Sequence, residues 1–176
     1  MRRIALFLLC AALALGTAAC GNDSSQTVGE QAARQAGKVY KTIAPEKVLT
    51  LENVSGVVSY TPVQETKKTS KGATVLYRSE PVGQGDVVQV DVYQPSTRVT
   101  EEEIRKLFDE EKEKRPKAEE VADLGVEAFI AIPSIHMMKG GYYVKITAGS
   151  GGGDEQKSLL KTMAQTALGN LDELLK

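Results

Sequence analysis

Histidine occurs once in these 176 residues, cysteine twice and tryptophan not at all, while Phe and Tyr together contribute nine. Each scarcity removes a class of function. A lone histidine, His136, with no second His or Cys near it in sequence, cannot build a metal cluster of the usual N/S kind. Serine-hydrolase chemistry would also want a nucleophile in a supporting turn, and no Gly-x-Ser-x-Gly is present. So few aromatic rings offer little for stacking on bases or sugars. Neither is there an excess of positive charge, since 22 Lys plus Arg face 23 Asp plus Glu. Nucleic-acid affinity comes largely from basic residues neutralising phosphates, so a nucleic-acid partner is not expected.

What is present begins with a leader. Arg2 and Arg3 precede an apolar run from Ile4 to Leu15, and the small residues Gly16, Thr17, Ala18 and Ala19 lead to Cys20. This order is that of a secretory signal peptide over residues 1–19. Twelve apolar residues rise only about 18 Å as a helix against a hydrocarbon core of ~30 Å, too short for a permanent span. Thr17-Ala18-Ala19-Cys20 resembles a bacterial lipobox, with Thr17 where Leu is the commoner residue. The resemblance implies a diacylglycerol on the Cys20 thiol and cleavage in front of it. Two acyl chains, at about 0.8 kcal/mol per buried CH₂, anchor durably. Cleavage at the same place by the ordinary signal peptidase would instead release a soluble protein. Cys10 leaves with the leader, so no cysteine pair remains to oxidise. Without Arg2 and Arg3 the processed chain carries 20 basic against 23 acidic residues, a formal charge of −3.

Residues 20–29 then form the lipidated cysteine and a flexible tether, and residues 30–176 a single α+β domain, long enough to bury a packed core without disulfides. Ala32, Ala36, Val39 or Tyr40, and Ile43 predict a helix from Glu30 that Pro45 ends. Strands are expected at Val57–Val63, Ala73–Tyr77 and around Val88, Val90 and Val92, joined by a hairpin tip at Thr66–Gly72 and a turn at Gly83–Asp86. Alternation with Gln89, Asp91 and Tyr93 predicts one wet face. A helix over Val99–Arg115 is signalled twice, by the capping box of Thr100 and Glu103 and by the staple of Val99 and Ile104. Its apolar residues Ile104, Leu107 and Phe108 dock the first half and leave the second half in solvent. Strands at Ala128–Ile132, Ile135–Met138 and Tyr142–Ala148 form a second meander, and a last helix starts near Asp154. The sum is an antiparallel sheet of about six strands with helices packed on it, in two βββα halves.

Asp123-Leu124-Gly125-Val126-Glu127-Ala128-Phe129, then Lys139-Gly140-Gly141-Tyr142-Tyr143-Val144-Lys145-Ile146, then the Leu- and Ala-rich closing helix, resemble an uncharacterised family of actinobacterial lipoproteins with a PsbP-like α/β sandwich. The resemblance implies that fold and an envelope location, and it supplies no catalytic residue and no cofactor.

Among individual residues, His136 between Ile135 and Met137 reads as structural. Gly149-Ser150-Gly151-Gly152-Gly153-Asp154 before a helix resembles a phosphate loop only superficially, because Lys157-Ser158 follows Gln156 rather than Gly and two acids stand at the helix start. Lys67, Lys68 and Lys71 could touch anionic headgroups, although a solvated hairpin tip accounts for them as well. Met137 and Tyr142 are candidates for an apolar ligand pocket, against plain core packing. The expected function is thus a non-enzymatic lipoprotein on the extracytoplasmic face of the cell membrane, binding an envelope protein or a small apolar ligand. A transporter's solute receptor and an envelope enzyme with an unrecognised site are the alternatives.

Overall fold

Pro45 starts a helix rather than ending one. The computed structural model describes residues 39–79, 87–149 and 152–176. Residues 39–44 are not helical, and α1 runs Pro45–Val48 with Ala44 at its N-cap. The fixed φ of proline and its missing N–H suit the first helical position, where that N–H would have no partner. The helix expected from Glu30 is therefore overturned over 39–44, and its 30–38 part lies outside the described residues. A second short helix, α2 (Leu51–Ser55), follows under a reciprocal cap: Asn53 N–H donates to Thr50 Oγ1 at 3.2 Å and Thr50 N–H to Asn53 Oδ1 at 3.1 Å.

The first strand is displaced from its expected place. β1 is Pro62–Lys68, not Val57–Val63, and it takes in Thr66, Lys67 and Lys68 from the stretch read as a hairpin tip. Val57 and Val58 instead pack back onto the main core after α2. β1 is exposed along almost its whole length and pairs on one side only, with β2 (Gly72–Ser79), from Pro62 opposite Ser79 to Lys68 opposite Ala73. Its charged residues are what an unpaired sheet edge favours, and they hide it from a search for apolar alternation. β3 (Val87–Tyr93) lies beside β2, and the Gly83–Asp86 turn lies outside the described residues.

The helix α3 (Glu101–Glu113) carries the expected capping box, with Glu103 N–H donating to Thr100 Oγ1 at 3.2 Å and Thr100 N–H to Glu103 Oε2 at 2.7 Å. A two-residue strand, β4 (Glu119–Glu120), and a single 3₁₀ turn at Ala122–Leu124 lead into β5 (Glu127–Ala131), β6 (Ser134–Lys139) and β7 (Tyr142–Ala148). Gly125 follows the 3₁₀ turn at φ 68°, a left-handed position that glycine occupies without penalty. The final helix, α4, spans Asp154–Leu175.

The two meanders are not separate halves. β3 pairs antiparallel with β7, Val88 opposite Ala148 through Tyr93 opposite Tyr143, and this join makes one open antiparallel sheet of seven strands in the order β1-β2-β3-β7-β6-β5-β4. Helices cover both faces. On one face α1, α2 and α4 enclose the main cluster, in which Val54, Tyr77, Val90, Ile146, Leu160 and Met163 are all fully buried. On the other face α3 presses Ile104 and Phe108 onto Phe129, Met138 and Tyr143, with the staple residue Val99 beside them. The face expected to be wet is therefore partly covered: Asp91 is buried, and Tyr93 stacks on Tyr143 with ring centroids 4.8 Å apart. Nor does the second half of α3 project freely, because Lys112 reaches Glu120 of β4 at 2.7 Å. Among the described residues no helix is long and apolar enough to cross a membrane.

Candidate functional site

Three segments far apart in sequence meet beside the end of β5: the end of α3, the start of α4, and β5 itself. Pro116 prevents α3 from continuing, and a tight turn, in which Ala118 N–H donates to Arg115 C=O at 2.9 Å, sends the chain back to β4. Glu119 pairs in register with Ile130 of β5. The start of α4 lies at the same place, so that Lys157, in its first turn, reaches Glu119. Its Nζ donates to both carboxylate oxygens at 2.7 Å, and that hydrogen bond raises the lysine's pKa.

Between these segments lies a cleft of about 590 Å³. Small-molecule sites commonly measure about 300–1,000 Å³. Ile130, Ala131, Ile132 and Pro116 give it an apolar wall, with Ile132 39% exposed. Lys114, Arg115, Lys117 and Lys157 line it with positive charge, against Glu119 alone of negative sign. Three of these cations already have carboxylate partners. Arg115 binds Glu111 at 2.7 Å, Lys114 lies 3.6 Å from Glu111, and Lys157 holds Glu119. Lys117 makes no ion pair among the described residues. A smaller cleft of about 320 Å³ shares Glu119, Ile130 and Lys157 with the first, so the Glu119–Lys157 pair stands where the two meet.

A second polar group lies beneath α3. His136 is completely buried, its ring stacked on Phe129 at 4.3 Å and its Nδ1 2.6 Å from the Tyr143 hydroxyl, while Nε2 has no partner among the described residues. Burial, with the charges of Arg115 and Lys145 adding to it, pushes the imidazole down to about 3, so it stays neutral. Burial likewise raises Tyr143, and it pushes Tyr93 up to about 12 with help from Asp91 and Glu111. Asp91 accepts from Thr74 Oγ1 at 2.6 Å and from Gln89 Nε2 at 2.9 Å. A neutral imidazole walled by Phe129 and α3 has no solvent face from which to exchange a proton; its hydrogen bond and stack fix the register of the layer under α3. Among the described residues no three His, Cys, Asp or Glu side chains converge as metal ligands.

Met137 and Tyr142 both belong to the main core cluster, 1% and 2% exposed, and the Tyr142 hydroxyl donates to Lys41 C=O at 2.7 Å. Lys67 and Lys68 lie on the edge strand, where Lys67 pairs with Glu65 at 3.0 Å, and Lys71 sits in the tight turn after it. Cys20 and the tether lie outside the described residues. The cleft residues carried no local signal. Lys114 and Arg115 read as the end of one helix, Lys117 falls beyond the Pro116 that stops it, Lys157 belongs to the start of another, and only the topology brings them together. No protein-family model, curated protein or solved structure matches this chain.

Proposed function

We propose that this chain is an extracytoplasmic lipoprotein, held at the outer face of the cytoplasmic membrane by a diacylglycerol on Cys20, whose PsbP-like sandwich domain binds a ligand rather than catalysing a reaction. The location is supported by the leader, with Arg2 and Arg3, twelve apolar residues and small residues running into Cys20, followed by the polar stretch from Gly21. The observation that carries the binding half is the cleft beside β5: its volume suits a small ligand, and its apolar wall and charged rim are the usual make-up of a binding site. Removal of the thiol tests the anchor. Wild-type chain is expected in the membrane fraction, and Cys20→Ser chain is expected to lose the lipid and, if still exported, to leave that fraction on a salt wash. Native mass spectrometry of the chain isolated from envelope tests the binding. A small molecule of constant mass is expected to travel with it, and a bare chain from every gentle extraction counts against the proposal.

A further inference from the structure

The composition of the cleft names a ligand class. We infer that it takes a small amphipathic anion, with a phosphate-like or carboxylate head held by Lys117, Lys114 and Arg115 and an alkyl portion lying along Ile130, Ala131 and Ile132. This rests on the proposal that the cleft beside β5 is the binding site, and goes further by assigning what fills it.

Two features of the lining converge on this class. Charge is the first: four cations and a single carboxylate face the cleft in a chain whose formal charge is −1. Three of the cations are held by carboxylates, two of them by Glu110 and Glu111 on the helix behind, whereas Lys117 is exposed and without an ion partner among the described residues. An arriving anion therefore gains Lys117 without breaking a pair, and Arg115 can present its remaining N–H donors while keeping Glu111. Apolar exposure is the second. Ile132 is one of five large apolar residues left exposed among the described residues, and it lines the cleft together with Pro116. A purely inorganic anion leaves that surface wet, and a neutral alkyl ligand leaves Lys117 without a counter-charge, so a ligand with both parts uses the whole cleft.

The test uses the full chain carrying Cys20→Ser, so that no acyl group of its own competes, with isoleucine methyl groups labelled for NMR. Octyl phosphate, inorganic phosphate and octyl glucoside are titrated separately. Octyl phosphate is expected to shift the Ile130 and Ile132 methyl signals, leave Ile43 and Ile104 in place, and bind about tenfold more tightly than either of the other probes, a difference of about 1.4 kcal/mol. Lys117→Gln and Ile132→Ser change exposed side chains and so leave the fold intact. The first is expected to weaken octyl phosphate at least threefold without affecting octyl glucoside, and the second to weaken both alkyl probes without affecting phosphate. Equal affinity for octyl phosphate and octyl glucoside, or indifference of octyl phosphate to Lys117→Gln, overturns the anionic assignment and leaves the binding site standing. Failure of all three probes to move Ile130 and Ile132 overturns the site itself.

Discussion

Acidification from pH 6.5 to pH 4.5 should remove about 2 kcal/mol of stability through His136 alone. In the unfolded chain the imidazole takes a proton near its ordinary value of 6.5, whereas in the folded domain burial, with Arg115 and Lys145 nearby, pushes it down to about 3. The unfolded state thus binds more protons throughout the interval between those values. Stability is complete above the unfolded value and falls as the pH drops toward the folded one, at up to about 1.4 kcal/mol per pH unit. The loss grows from about 0.4 kcal/mol at pH 6.5 to about 2.7 kcal/mol at pH 4.5. Glu65, Glu103 and Glu120, whose pKa values are lowered by hydrogen bonds to Lys67, Thr100 and Lys112 respectively, act in the same direction but mainly below pH 4.5. The difference between wild type and a variant without the imidazole across this window therefore isolates the histidine. Urea denaturation at half-unit steps reads the slope directly. His136→Phe preserves the stack on Phe129, removes the titration and should flatten the curve between pH 6.5 and 4.5. A wild-type curve as flat as that of the variant would refute the reasoning, because it would mean that the folded imidazole is protonated as easily as the free one.

Three further outcomes follow from the packing. Phe108→Ala should cost about 3–5 kcal/mol in denaturant midpoint experiments, since the ring is fully buried and packs against Phe129 at 5.1 Å and Tyr143 at 5.5 Å. Gly72→Ala places a Cβ 1.9 Å from the Val92 carbonyl oxygen and must push β2 from β3, so circular dichroism melting should show a larger loss than the about 1 kcal/mol typical of point changes. Thr100→Ala removes the side-chain half of the α3 cap and should cost about 1 kcal/mol by the same melting assay, with Thr100→Ser close to wild type.

Local chemistry was legible and long-range pairing was not. The cap of α3 stood in Thr100, Glu103, Val99 and Ile104, and β7 stood between its glycine turn and the loop at Gly149, because each is decided within a few residues. Pro45 misled because proline both ends helices and opens them, and only the following residues settle which. Apolar alternation places β1 too early, over Val57–Val63, because an edge strand needs no apolar face. The β3–β7 join, which turns two meanders into one sheet, links residues from 50 to 60 positions apart and leaves no local trace. The same holds for the cleft, whose cations come from the end of one helix and the start of another. The His136–Tyr143 contact was within reach, since a tight turn at Gly140-Gly141 pairs Lys139 with Tyr142 and puts His136 opposite Lys145, with Tyr143 two positions away on the same face.

The most direct test of the account is the mass of the N-terminal peptide of the processed chain recovered from membranes. A peptide that begins at Cys20 and is heavier by a diacylglycerol is the predicted result. A peptide that begins at an unmodified Cys20, with the chain free in the surrounding medium, would contradict it.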